Sequence, residues 1–256
     1  MTQQLSAPRR VAVLGANGRM GAEAVKAVES APDMKLVAAL GRGDSLTSLT
    51  DAGARFVVDL TVPESTEANV RFAVENGMHA VVGTTGWDAG RLERLGSLLA
   101  GHEGVGVLIA PNFALGSVLA SAFAAKASKY FESVEVIELH HPDKVDAPSG
   151  TAVRTAQLIA AERASAGVEP SPDATTSELA GARGCEVDGI RVHSVRLRGL
   201  VAHQEVLLGG PGEQLTFRHD SFDRASFMPG VLLGVRSVAR HPGLTVGLDG
   251  YLDLGL

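Results

Sequence analysis

The chain has 256 residues and a mass of 26.5 kDa, more than one average domain and fewer than three, so two domains is the first expectation. Hydrophobic residues at 45% against 20% charged argue against a disordered chain, and a net charge of −6 argues against binding nucleic acid or anionic membranes through a general positive field. The single cysteine, Cys185, rules out an internal disulfide and a cysteine-rich metal cluster, and reads as an inert, buried or half-exposed thiol.

In chain order, a polar stretch Met1–Arg10 carries neither a secretory nor a transit pattern, which makes the cytoplasm the expected compartment. Val11–Leu14 is a short apolar run, followed by a glycine turn Gly15–Gly21 and a helical pattern through Ser30. The cycle repeats. Leu36–Leu40 and Phe56–Leu60 read as strands, the latter leading through Pro63 into a helix that ends near Asn76-Gly77. Ala80–Val82, a helix around Arg91–Ala100 and Val105–Ala110 continue the alternation. Strands apolar on both faces and separated by helices predict a doubly wound parallel sheet.

After Phe113 the pattern changes. A helix to about Phe131, a strand Ser133–Leu139, a helix Thr151–Ala166 and a polar connection Glu169–Ser177 precede extended segments Ile190–Leu197, Glu205–Leu208 and Gln214–Arg218. Strands joined by short glycine-rich turns predict an α+β domain with a mixed or largely antiparallel sheet. A last helical pattern, about Met228–Arg240, and an apolar segment Leu244–Leu254 can return to the first domain. The expected division is therefore 1–114 completed by 227–256, and 115–226. Gly104–Ala125 carries no charged side chain, but Pro111 and Asn112 interrupt it, so it reads as strand, loop and packed helix rather than a membrane span.

Gly15-Ala16-Asn17-Gly18-Arg19-Met20-Gly21 lies between the first strand and first helix, where glycines permit close backbone approach and helix amides face an anion. That context points to a dinucleotide pyrophosphate. At the end of the second strand, where an acid reads the ribose of NAD, stands Gly41, followed by Arg42; with Arg42 and Arg19 as grips for a 2′-phosphate, the chemistry leans toward NADP, with Asp44 as a nearby acid. Gly83-Thr84-Thr85-Gly86 and Ala110-Pro111-Asn112-Phe113 belong at the same sheet edge, where small side chains and free amides can line a nicotinamide and its ribose.

Glu138–Ala152, E-L-H-H-P-D-K-V-D-A-P-S-G-T-A, holds the most chemistry. His140, His141 and Lys144 leave a strand and pass through a proline-bounded loop to a helix starting Ser149-Gly150-Thr151. Cations beside a helix N-terminus suit a small di-acid. The chain's habitual cation is arginine, which cannot surrender a proton, so a lysine here reads as an acid–base group. A histidine metal pair lacks a third ligand, and no metal is expected. Another two-domain NAD(P)-dependent dehydrogenase of the amino-acid or semialdehyde type, and a non-catalytic NAD(P)-sensing module, remain alternatives. Cys185 lacks an obvious activating neighbour for aldehyde chemistry, and a sensor has no need of the His-His-x-x-Lys loop.

Together, G-A-N-G-R-M-G, D-L-T-x-P at Asp59–Pro63, G-T-T-G, A-P-N-F and above all E-L-H-H-P-D-K-V-D-A-P-S-G-T-A resemble the 4-hydroxy-tetrahydrodipicolinate reductase (dihydrodipicolinate reductase) family across nearly the whole chain. The resemblance implies a Rossmann-type domain and a second domain that binds a cyclic dicarboxylate and assembles a homotetramer, with NADH or NADPH as reductant and a place in lysine and diaminopimelate synthesis. It further implies His140 as proton donor and acceptor, Lys144 as proton donor, and His141, Gly150 and Thr151 as substrate contacts, beside which Ser149 offers its hydroxyl and amide. Gly15 to Met20, Arg42, Gly83 to Thr85 and Ala110 to Phe113 would contact the cofactor. Some members carry an acid where Gly41 stands, which sets this chain apart from a strong NADH preference.

Overall fold

The structure, a computed structural model, describes residues 7–252 and 254. Residues 1–6 of the polar N-terminal stretch, and 253, 255 and 256 of the expected C-terminal completion, lie outside the described residues. The chain forms two compact units, one running to Phe113 and resuming at Phe227, the other Ala114–Ser226.

In the first unit, β1 (Arg9–Leu14), α1 (Arg19–Ser30), β2 (Met34–Leu40), α2 (Thr47–Asp51), β3 (Phe56–Asp59), α3 (Pro63–Glu75), β4 (His79–Val82), α4 (Ala89–Ala100) and β5 (Gly106–Ile109) alternate. The strands are parallel in the order β5-β4-β3-β1-β2. Every residue of β4 and β5 is buried, the outcome expected of apolar strands with helices on both faces. Chain direction across the sheet reverses between β1 and β3, and a doubly wound sheet binds ligands at the carboxyl ends of the strands beside such a reversal.

The second unit comprises α5 (Leu115–Ser128), β6 (Ser133–His140), α6 (Gly150–Ser165), β7 (Cys185–Val187), β8 (Ile190–Arg196), β9 (Ala202–Gly210) and β10 (Glu213–Ser221). Its sheet runs β10-β9-β6-β8-β7, with β6 and β8 parallel and the other pairs antiparallel, hence mixed. β6 alternates strictly: Val134, Val136 and Glu138 are buried, and the residues between are half-exposed. The buried side, with Val192, Val206 and Leu208, packs on Ala124 and Ala125 of α5 and on Ala152, Ala156 and Ile159 of α6. The other side carries Ile137, Leu139, Val195 and Leu207, all half-exposed. Alanine-rich surfaces let α5 and α6 approach closely, and where they meet the hydroxyls of Ser121 and Thr155 lie 2.8 Å apart.

The chain then rejoins the first unit. α7 (Met228–Ser237) packs Gly234 against Val81 and Leu108, where an added β-carbon would lie 3.0 and 3.1 Å from their methyls. β11 (Gly243–Val246) pairs parallel with β5, making the first sheet six-stranded.

The structure differs from the expected elements in several places. α2 and β7 are too short to stand out as periodic patterns, and Cys185, which opens β7, is exposed rather than buried. β9 and β10 extend beyond the apolar segments because polar His203 and Gln204 are buried inside the ladder, not placed in a loop. The final helical pattern is α-helix over Met228–Ser237 and a 3-10 turn over Val238–Arg240, with another 3-10 turn, Arg224–Phe227, ahead of it, and the closing apolar segment is strand only as far as Val246. Gly104–Ala125 divides between β5, a loop and α5, and among the described residues no helix is long and apolar enough to cross a membrane.

α6 is anchored at its far end by Arg163, which is 5% exposed and donates to the carbonyls of Ser128, Phe131, Glu132 and Glu169. Replacing Arg163 with Met keeps the stem but strands these acceptors, each costing about 1–3 kcal/mol when left buried without a donor. Urea unfolding of Arg163→Met should show a loss of about 3 kcal/mol or more; a midpoint unchanged from the parent would show that the four carbonyls find water instead.

Candidate functional site

The nucleotide turn follows from glycine at three positions. Gly15 has φ +78°, and a β-carbon there would stand 2.5 Å from the Leu60 carbonyl oxygen. One on Gly21 would meet the Gly15 carbonyl oxygen at 2.0 Å, so α1 starts flush against the turn. No side chain caps α1 at Gly18, whereas Asp88 caps α4 and Ser149 caps α6. First-turn amides are therefore directed at the turn without a built-in acceptor, as a pyrophosphate site requires.

Two cavities flank this turn at the carboxyl ends of the strands. The first, about 420 Å³, is lined by Gly15, Asn17, Gly18, Arg42, Asp44 and Thr61 among others. The second, about 240 Å³, is lined by Met20, Gly83, Thr84, Thr85, Ala110, Pro111, Asn112 and Phe113, together with Leu60, Thr61, Pro63 and Phe227. Ala16 and Arg19 belong to the turn but are not among the lining residues of either; Ala16 is 9% exposed, and Arg19 is exposed. The residues present thus fit a dinucleotide. A β-carbon at Gly41 would lie 2.3 Å from Nδ2 of Asn17, so a side chain there requires that exposed amide to swing aside. The Gly41 N–H donates to Asp44 Oδ2 at 2.8 Å, so an acid and Arg42 line the same end of the first cavity.

Asp59, at the end of β3, organises the second cavity from below. It is fully buried and accepts from the Thr61 N–H and hydroxyl at 2.9 and 2.6 Å, Thr66 Oγ1 at 3.2 Å, Asn69 Nδ2 at 3.1 Å and Thr84 Oγ1 at 2.9 Å. The Thr84 hydroxyl is thereby turned inward, and what the Gly83–Thr85 turn offers to a ligand is chiefly its backbone and Thr85.

In the second unit, the site grows from the end of β6. Glu138 is fully buried on the helix-covered face. Arg196, opposite His140 on parallel β8, donates to both of its oxygens, at 2.7 and 2.8 Å. The Ser149 N–H donates to Oε1 at 3.1 Å, and His140 Nδ1 lies 2.5 Å from Oε2. Burial alone would push the Glu138 carboxyl up, but hydrogen bonds from Arg196, Ser194 and His140 outweigh it and hold the group at about 2. His140 is held below the usual histidine range: burial lowers it, and the Lys144 and Arg196 charges add to that, against the opposing pull of Glu138.

Lys144 Nζ donates to Asp146 Oδ1 at 2.6 Å. Burial would raise the Asp146 carboxyl, yet Lys144 and the Gly150 N–H hold it below its ordinary value. Arg196 also donates to the Asp146 carbonyl at 2.8 Å, tying the loop to β8. His141, one residue past β6, is half-exposed, and its carbonyl accepts from the Lys144 N–H at 3.3 Å. Gly150 and Thr151 are accessible at the start of α6. Ser149 differs from expectation: it is 3% exposed, its hydroxyl oxygen accepts from the Ala152 N–H, and its own N–H serves Glu138, so it supports the helix start rather than presenting to solvent.

His140, His141, Lys144, Gly150 and Thr151 thus share one loop and helix start. Glu138 and Arg196 complete it. A glutamate in phase with the apolar residues of a strand, two positions before a histidine, is the signal that points to Glu138; Arg196 has none, because only strand pairing brings it near. Among the described residues no group of three or more histidines, cysteines or acids is placed to hold a metal.

Residues 9–113 match the family model described as dihydrodipicolinate reductase, N-terminus, and residues 116–252 the one described as dihydrodipicolinate reductase, C-terminus. The chain is 65% identical to the 4-hydroxy-tetrahydrodipicolinate reductase of Streptomyces griseus subsp. griseus, over 96% of this chain and 98% of that one. It is 64% identical to the enzyme of the same name from Streptomyces avermitilis, with the same coverage. Among solved structures, the dipicolinate-bound dihydrodipicolinate reductase from Paenisporosarcina sp. TG-14 superposes with a TM-score of 0.83 at 39% identity, covering 96% of this chain and all of that one.

Because Glu138 is held at about 2 against an ordinary 4.5, its contribution to stability is complete above pH 4.5 and is lost as pH falls toward 2. Urea midpoints measured across that window should fall less steeply for Glu138→Gln than for the parent protein. Equal slopes would show that Glu138 titrates normally in the fold.

Proposed function

The chain belongs to the dihydrodipicolinate reductase family, and from that membership we propose that it reduces 4-hydroxy-tetrahydrodipicolinate to tetrahydrodipicolinate with loss of water, at the expense of NADH or NADPH, in lysine and diaminopimelate synthesis. The observation that carries this reading is the gathering of His140, His141, Lys144 and the open start of α6 in one loop, a cationic seat for a small dicarboxylate. The dipicolinate held by the Paenisporosarcina relative is a ligand of that kind.

When bound, the reduced nicotinamide supplies a hydride. Gly15, Asn17, Gly18 and the first turn of α1 hold the pyrophosphate, and the Gly83–Thr85 and Ala110–Phe113 turns orient the nicotinamide and its ribose. Reduction of the conjugated imine formed on loss of water puts negative charge on the ring, and the cations beside it stabilise that charge. His140 Nε2 delivers the proton that completes the reduction, and Lys144 Nζ, a second donor, also neutralises a carboxylate. His141 and the Gly150 and Thr151 amides hold the carboxylates in place. Lys144 exchanges its contact with Asp146 for the incoming substrate, an ion-pair swap of low cost at a partly exposed site. Arg42 and Asp44 together at the ribose end support use of both cofactors, Arg42 binding the 2′-phosphate of NADPH.

A homotetramer in the cytoplasm completes the reading. The half-exposed face of Ile137, Leu139, Val195 and Leu207 supports assembly through the second unit, and a lone exposed cysteine suits a reducing compartment.

His140→Ala and Lys144→Ala should each lower kcat by about 100-fold or more while leaving the fold intact. Steady-state oxidation of NADPH with freshly condensed pyruvate and aspartate semialdehyde measures this, and near-native turnover in both variants would defeat the assignment. Arg42→Ala should raise KM for NADPH by about tenfold and leave KM for NADH within twofold. A matched change in both would remove Arg42 as the phosphate reader.

A further inference from the structure

We propose that Glu138 is the positioning residue of the proton donor: clamped by Arg196 at the end of β6, its carboxylate holds the His140 ring by Nδ1 and so presents Nε2 for proton transfer. The proposal rests on His140 being that donor. An imidazole has two nitrogens, and the one that faces a ligand is set by the hydrogen bond the other makes. His140 Nδ1 lies 2.5 Å from Glu138 Oε2, and the side chain is 13% exposed. Glu138 itself cannot swing away. Arg196 grips both oxygens, the Ser149 N–H holds Oε1, and the residue has no exposed surface. The ring is thus fixed to a rigid strand pair through a carboxylate that stays ionised across the working pH range.

The charged groups facing His140 come from three elements. Glu138 on its own strand favours the protonated ring. Lys144 in the following loop and Arg196 on β8 oppose it, with Asp146 partly neutralising Lys144. On β9 the residue opposite His140 is Ala202, which does not titrate. Removing the Glu138 charge therefore leaves two cations, of which only Lys144 is partly neutralised, and favours the neutral ring. A donor must be protonated to act, so the high-pH limb of kcat should move to lower pH. A buried glutamate that merely joined β6 to β8 and α6 would alter stability without altering the ring's tautomer or that limb.

The test is nitrogen-15 NMR of histidine-labelled enzyme, with His140 assigned by its loss in His140→Ala, alongside pH profiles of kcat and KM. In the parent enzyme the neutral His140 ring should carry its proton on Nδ1. In Glu138→Gln it should lose that preference, and the high-pH limb should move down by about one pH unit, a tenfold loss of kcat above it, with KM for NADPH within twofold. Glu138→Asp, which keeps the charge but stands one methylene short of Nδ1, should fail to restore the Nδ1 preference while leaving the limb nearer the parent's than Glu138→Gln does. If Glu138→Gln does not fold, Glu138→Gln/Arg196→Gln, which removes the stranded guanidinium as well, carries the tautomer readout, and its pH limb is compared with that of Arg196→Gln alone, below which it should lie. An unchanged tautomer and pH limb beside an inactive His140→Ala would overturn the proposal and leave His140 as donor. An active His140→Ala would remove the donor, and the proposal with it.

Discussion

Two carboxylates out of reach of water hold the functional loops of this protein. An ionised acid in the interior is tolerated only where donors replace its hydration shell, and each donor recruited is a segment of chain fixed in place. Asp59 draws in Thr61, Thr66, Asn69 and Thr84, which sets the two turns beneath the smaller cavity. Glu138 draws in Arg196, His140 and the Ser149 amide, which sets a strand end, an imidazole ring and a helix start. In both units the acid stands at or near the carboxyl end of a strand, and its hydrogen bonds are completed within the protein.

The two acids leave different margins. Around Asp59 the donors are uncharged hydroxyls and amides, so the surroundings stay neutral apart from the acid. Around Glu138 a guanidinium holds both oxygens and an imidazole shares Oε2, and beside the lowering by burial the Glu138 and Arg196 charges pull the His140 ring in opposite directions. Lys144 and Asp146 form a second, more exposed pair alongside. A pair that water can reach rearranges at little cost, whereas the buried one cannot, and the site accordingly divides into a fixed half and an adjustable half.

Much of this was legible in the residues alone. The parallel sheet followed from apolar strands alternating with helices, and the glycine turn from its place between β1 and α1. His140, Lys144 and the helix start at Gly150 lie within a dozen positions, so their proximity needs no tertiary information. Arg196 enters only through the parallel pairing of β6 and β8, which no local pattern encodes. Ser149 illustrates the opposite failure: a serine before a helix reads equally as ligand and as cap, and only burial separates the two. Gly41 looked like a missing acid, and no local pattern shows that a side chain there would first have to displace the exposed Asn17 amide. Buried polar residues such as His203 and Gln204 blurred the ends of β9, because polarity at the sequence level says exposure until a partner is known.

The bidentate contact between Glu138 and Arg196 joins residues 58 positions apart. During synthesis, the histidine loop and its glutamate leave the ribosome well before the arginine that neutralises them. Until β8 docks, Glu138 has every reason to remain hydrated and the His140 ring to turn freely. The hydrogen bonds that fix the His140 ring therefore arise together with closure of the mixed sheet, and a half-made chain holds the histidine loop without the arrangement around it.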